Sequence, residues 1–145
     1  MPITDPDARA LGVDLAVPTD PDAAIPITPS GDLQLVSGRD NLLPALDRRQ
    51  RAAPGELLHR PDYGVGAVHL IGRATTPAQR GLLAARARRN LLQDSRIKEA
   101  RVTVQPGFPG EETPTPNAVT LATRVEIRHD GTAAVLSTPL GFSQG

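Results

Sequence analysis

The chain has 145 residues, with 16 basic and 16 acidic side chains, a formal net charge of zero, and no Cys or Trp. That length suits one domain able to bury a hydrophobic core. The composition excludes a disulfide scaffold, a thiolate zinc site and a Cys nucleophile; no apolar run approaches the ~20 residues that cross a bilayer, and three aromatics (Tyr63, Phe108 and Phe142) are too few for a base-stacking platform.

Residues 1–30 are rich in Pro and Asp. Proline fixes φ and biases the preceding residue toward extended conformations. Leu11, Val13, Leu15 and Val17 alternate with smaller or polar residues. The pattern predicts an extended arm with one short strand laid on another surface; a disordered tail is the alternative. A basic start followed by an apolar stretch is missing, so no secretory signal is expected. Gly31-Asp32 reads as a turn, and residues 33–37 as a short strand that opens the main domain, 31–145.

A helix is predicted from Gly38-Arg39-Asp40 to Pro54-Gly55, with Asp40 accepting from the free N–H groups of its first turn and Pro44 still within that turn. Leu42, Leu43, Leu46 and Ala53 give a narrow apolar face, from which Arg48, Arg49 and Arg51 point away. The segment Pro61-Asp62-Tyr63-Gly64-Val65-Gly66 then bends at its glycines, and Val68, Leu70 and Ile71 read as buried.

The strongest local signal is Thr76-Pro77-Ala78-Gln79, an N-cap, a proline at the first helical position and a capping box. The helix should run to about Gln93, with Leu83, Ala84, Ala87 and Leu91 on one face. Leu82, Ala85 and Leu92 form a second apolar strip that could meet a partner. Asp94-Ser95-Arg96-Ile97 ends the helix. Arg101–Gln105 reads as a strand with Val102 and Val104 inward, and Pro106–Asn117 as an exposed, mobile loop. Val119, Leu121, Thr123, Val125 and Ile127 alternate along a long strand, a two-residue turn is predicted at Asp130-Gly131, and Thr132–Thr138 returns. The fold class is α+β: two main helices on a small, mostly antiparallel sheet, with a C-terminal hairpin and an extended N-terminal arm.

The zero net charge is a sum of blocks. Residues 1–40 carry seven Asp against Arg9 and Arg39, a net of −5; residues 41–101 net +7, and residues 102–145 net −2. Blocks of this kind suggest self-complementary packing or a series of protein contacts. Lys98 is the sole lysine. An arginine excess suits planar ion pairs at interfaces, and it also follows from GC-rich coding.

No pattern for chemistry stands out. His59, His69 and His129 lie on three segments without metal-ligand spacing. Gly64-x-Gly66 lacks the third glycine of a dinucleotide loop, and neither a phosphate loop nor a serine nucleophile elbow occurs. Glu56 and Asp62 can be posed as a glycosidase pair, but one follows a helix end and the other sits in a Gly turn. Arg80, Arg86, Arg88 and Arg89 could contact phosphates, yet they fan around their helix instead of forming a stripe. A basic nucleic-acid adaptor is therefore the alternative function, and no catalytic residue, cofactor or metal is expected.

The order from Gly31 to Val104 resembles the small baseplate wedge subunit, or sheath initiator, of contractile phage tails, with relatives in extracellular contractile injection systems and the type VI secretion baseplate. The likeness is carried by Gly31-Asp32-Leu33, Val36-Ser37-Gly38, Asn41-Leu42, Pro54-Gly55-Glu56-Leu57, Pro61-Asp62-Tyr63-Gly64-Val65-Gly66 and the capped Arg/Ala/Leu helix. Where the family often has Glu-Pro-Arg, Asp94-Ser95-Arg96 keeps the acid and the arginine. The resemblance implies a structural, non-enzymatic protein at the junction of wedge, hub and first sheath ring. Its partners would be wedge and hub proteins and first-ring sheath subunits, with multiple copies, six per particle, and with no membrane and no nucleic acid. It would act in a tail or injection particle assembled in the bacterial cytoplasm. It further implies partner contacts at Pro61, Tyr63, Gly64, Gly66, Asp94 and Arg96, and at Val125, Ile127, Val135 and Leu136 of a hairpin that templates sheath strands. Some family members carry a lysozyme-like label, which nothing in these residues supports.

Overall fold

The structure is a computed structural model and describes residues 5–18, 22–71 and 75–141. Pro2, Asp20, Pro21, Arg73 and Phe142 lie outside them. The architecture is α+β: among the described residues there are three α-helices and two small antiparallel sheets. By internal contacts the chain divides into two compact units, Met1–Ala45 and Leu46–Gly145.

In the first unit, residues Pro6–Leu11 form a helix (α1) where the pattern predicts extended chain. Local capping explains it. Asp5 accepts from the Asp7 N–H at 3.0 Å and Pro6 occupies the first turn, where its missing N–H costs nothing. Gly12, at φ +85°, ends the helix. The short strand of the arm is present as β1 (Val13–Leu15), antiparallel to β2 (Leu35–Ser37) in the register Val13↔Ser37 and Leu15↔Leu35. A bridge between Ile27 and Leu33 adds a third segment to this ribbon. Ala8, Leu11 and Leu42 are buried here, and the Asn41 amide donates to the Leu11 carbonyl at 2.9 Å.

Helix α2 spans Arg39–Arg51. It starts one residue before Asp40, so Pro44 falls in the second turn and not the first. The Asp40 carbonyl therefore loses its usual i+4 donor.

The second unit holds a three-stranded sheet in the order β3 (Ile97–Pro106), β4 (Val119–Ile127), β5 (Ala133–Leu140). Helix α3 (Pro77–Leu91) packs along β3. Its predicted start is observed in full: Thr76 accepts from the Gln79 N–H at 3.2 Å while Gln79 accepts from the Thr76 N–H at 2.9 Å, a cap worth about 1 kcal/mol. Leu83, Ala87 and Leu91 are buried at i, i+4 and i+8, and the core continues through Val65, Ala67, Val119, Leu121 and Leu140. Val102 and Val104 pack against it, partly buried. Val68, expected in the core, is 42% exposed, because residues 67–70 coil into a 3-10 turn that turns Ala67 inward instead.

Two loops differ from expectation. The β4–β5 connection has five residues, Arg128–Thr132, not two: the Ile127 N–H donates to Thr132 O and the Gly131 N–H to Ile127 O. Gly131 supplies the positive φ, +70°, and the Asp130 carboxylate accepts from the Thr132 N–H and hydroxyl. The loop after β3 is organised around Glu111, which accepts from the N–H groups of Phe108 and Thr115 and from the Thr115 hydroxyl. These bonds hold the exposed Glu111 carboxyl below its ordinary pKa.

Candidate functional site

The segment Pro61–Gly66 is fixed by two glycines and one asparagine. Gly64 has φ +105°, and a Cβ there would lie 2.5 Å from the Ala52 carbonyl oxygen. Gly66 adopts the left-handed conformation and donates to that same carbonyl at 3.1 Å. The bend thus docks directly on the end of α2, which only residues without a side chain allow. Across from it, the buried Asn90 of α3 donates from Nδ2 to the carbonyls of Asp62, at 2.9 Å, and Gly64, at 3.0 Å.

Asn90 also receives Arg49. The Arg49 Nη1 donates to Asn90 O at 2.9 Å and to Asn90 Oδ1 at 3.3 Å. Arg49 therefore does not point away from the fold: it is 4% exposed, with its guanidinium 4.5 Å from the centre of the Tyr63 ring. Arg60 also faces that ring, at 5.4 Å. One tyrosine thus carries two guanidinium groups, a cation–π arrangement. Burial pushes the Arg49 pKa down, against the opposing pull of Asp94 and Tyr63. Together with His59, Asp62 and Gln93, these residues border a depression of about 280 Å³, with Pro61 at its margin.

Asp94 and Arg96 close the turn after α3. Arg96 grips the Asp94 carboxylate through Nε at 2.9 Å and Nη2 at 2.7 Å, and its backbone N–H donates to the same group at 3.1 Å. Burial opposes the charged carboxylate. The Arg96 hydrogen bonds, helped by the charges of Arg96 and Arg49, outweigh that and hold Asp94 below the usual carboxylate range. A fork this complete does the positioning work that a proline between acid and arginine could otherwise do. The structure thus joins Tyr63, Gly64, Asp94 and Arg96 into one cluster through Asn90 and Arg49, neither of which the sequence reading singled out. Asn90 left a signal: it lies three residues after Ala87 and seven after Leu83, a polar side chain on the apolar face of α3.

The hairpin residues form a separate surface. Val125 and Ile127 are buried, 1% and 0% exposed, so their side chains support the sheet from its core face. Leu136 is half-buried, and Val135 is 65% exposed. Strand β5 is an edge of its sheet. The bond from Ile127 to Thr132 sets the ladder, so Ala134, Leu136, Thr138 and Leu140 turn their backbone polar groups toward β4. Those of Val135 and Ser137 face outward and have no recorded partner among the described residues. At Pro139 the outward position has no N–H, and its carbonyl accepts from Arg51 at 3.3 Å. The end of α2 holds this strand: Thr138 donates to Asp47 at 2.6 Å, and Asp47 also accepts from Arg51 at 2.7 Å.

Arginine is used here largely as a fixed planar donor. Arg80 reaches Thr75 O, Arg88 reaches Ala100 O, and Arg128 reaches both Ser95 O and Ile97 O. Glu56 likewise has a structural use, accepting from the Ala53 N–H at 2.9 Å just past α2. Among the described residues no group of three His, Asp or Glu is placed to hold a metal, and no helix is long and apolar enough to cross a membrane.

Solved structures that this chain resembles include the following. A protein described as a candidate tail lysozyme from Geobacter sulfurreducens matches with a TM-score of 0.59 and 20% identity, over 76% of this chain and 96% of its own. A chain of the anti-feeding prophage baseplate matches with a TM-score of 0.55 and 19% identity, over 92% of this chain and 90% of its own. A chain of the type VI secretion baseplate complex gives 0.49 and 20%, over 68% of this chain and 88% of its own. No family model matches the sequence, and no curated protein does.

Proposed function

We propose that the chain is a structural subunit of the baseplate of a contractile tail or injection particle, in the place of the small wedge protein that starts the sheath. The observation that carries this reading is the fold shared with a baseplate chain over nine-tenths of both lengths. The glycine bend anchored by Asn90 and the open edge of β5 support it, as both are built for contact and neither for bond-making chemistry. In this role the cluster around Tyr63 and the Asp94–Arg96 fork hold wedge and hub neighbours. The outward backbone groups of Val135 and Ser137 receive a strand of the first sheath ring. The Pro/Asp-rich segment 1–30 serves as an arm reaching a further neighbour. Sixfold copy number and assembly in the bacterial cytoplasm belong to the same proposal.

The test is a proline on the edge. Ser137→Pro removes an outward N–H and leaves the ladder to β4 intact, as Pro139 already does. Electron microscopy of particles carrying this variant should show the subunit in the baseplate and no extended sheath, with the melting temperature of the isolated protein little changed. Normal sheaths would refute the strand-templating role.

A further inference from the structure

We infer that the depression bordered by Arg49, Arg60 and Tyr63 is a receptor for a carboxylate side chain of a partner protein. The receptor rests on geometry; naming the partner a baseplate protein rests on the reading above.

A guanidinium has five N–H donors. Arg49 uses one nitrogen, Nη1, on the two oxygens of Asn90, and both acceptors are neutral. Its Nε and Nη2 have no recorded acceptor among the described residues. They are not sealed away either, since the one buried side-chain polar atom without a partner there is Gln50 Nε2. A cation that is 4% exposed, without an anion hydrogen-bonded to it, is an expensive arrangement in a free protein. Asp94 is close enough to lower that cost, but its oxygens are held by the Arg96 fork.

The rest of the lining suits a small planar anion. Tyr63 is half-buried, and both guanidinium groups lie within cation–π distance of its ring. Arg60 is exposed, and its guanidinium makes no recorded hydrogen bond, so it is available to close over an incoming group. His59 and Gln93 add side-chain N–H donors at the rim. A carboxylate accepts two parallel N–H bonds from the free edge of one guanidinium, a fit that a chloride or a lone carbonyl lacks. Asp62 is the acid in the lining, and its carboxylate has no recorded bond to either arginine. It opposes a doubly charged guest more than a singly charged one, which favours Asp or Glu over phosphate. The backbone of Asp62 is already committed to Asn90, so the rim is held in place before the guest arrives.

Tyr63 is the sole tyrosine and the chain has no Trp, so its fluorescence reports this depression alone. The full chain is titrated with acetyl-Ala-Glu-Ala-amide, and with acetyl-Ala-Gln-Ala-amide as the uncharged counterpart. The Glu peptide should give a saturable change that weakens with added salt, and the Gln peptide none. Arg60→Gln, at an exposed position, should weaken the Glu peptide by about tenfold, the loss of one charge-assisted hydrogen bond. Asp62→Asn should tighten it. Equal responses to the two peptides, or an unchanged affinity in Arg60→Gln, would overturn the receptor. The same saturable change with inorganic phosphate at equal concentration would overturn the carboxylate assignment. Particle incorporation of the wild-type chain separates the two readings. A protein that enters baseplates but ignores the Glu peptide refutes the receptor alone. One that binds the peptide and enters no particle supports the receptor and refutes the baseplate role.

Discussion

The two units treat the same kind of sequence pattern in opposite ways. In Met1–Ala45, alternating aliphatics stand largely in solvent: Leu35 is 61% exposed and Ile27 64%, and the registers Leu15↔Leu35 and Ile27↔Leu33 put them on one face of the ribbon with Val13. In Leu46–Gly145, an equally regular alternation along β4 places Val119, Leu121, Val125 and Ile127 at 1% exposure or less. Periodicity says which side chains share a face. Whether that face is buried depends on a second layer, which α3 supplies to the three-stranded sheet. An aliphatic face left open on an acid-rich unit is the common sign of a surface meant for contact.

The largest effect that would sharpen this contrast concerns glycine. Gly64 and Gly31 both have positive φ, +105° and +90°, but a Cβ at Gly64 strikes the Ala52 carbonyl while one at Gly31 meets nothing within 4 Å. Gly64→Ala should cost about 4 kcal/mol, strain and clash together, and Gly31→Ala about 1 kcal/mol. Chemical denaturation of the two variants measures the gap, and equal losses would mean that the bend does not press on α2. Next in size is the aliphatic pair. Leu121→Ala should lose about 3 kcal/mol, whereas Leu35→Ala should change stability by no more than about 0.5 kcal/mol. A large loss at Leu35 would break the comparison, because it would mean that the open ribbon face is covered in the free protein.

The smallest effect is electrostatic and confined to the second unit. Asp94 has its pKa depressed in the folded state. Its contribution to stability is therefore fully present above the unfolded carboxylate value, about 3.9, and is lost as pH falls through the lower folded value. Melting curves taken on the acid side should show a shallower fall in Asp94→Asn than in the wild type, with the two converging below the folded value. An unchanged acid limb would remove the Asp94–Arg96 fork from the account.

Much of the fold was legible. Thr76, Pro77 and Gln79 announce the start of α3 because capping is a contact among neighbours in the chain, and the alternation of β4 declares its inward side. The glycine bend was legible as a bend, since its spacing needs no partner to be read. What was missed has two causes, a competing local signal and a remote partner. Leu11 fits a strand by alternation and a helix by the Asp5-Pro6 cap, and the cap prevails. Asp130-Gly131 looks like a two-residue turn, but the strand ends leave five residues in the loop. Arg49 looks like one more solvent-facing arginine of α2, although Asn90 and Tyr63, far off in the chain, draw it inside.

By itself, then, the sequence determined the α+β class, the capped helix, the glycine bend and the three charge blocks, since each follows from residues within a few positions of one another. Only the tertiary structure decided that Arg49 is buried on Tyr63, that Asn90 ties helix to bend, and that Val135 and Ser137 keep an open edge. Those outcomes depend on which distant groups meet, and a hydrogen bond or a covering layer between remote segments leaves no periodic trace in either one.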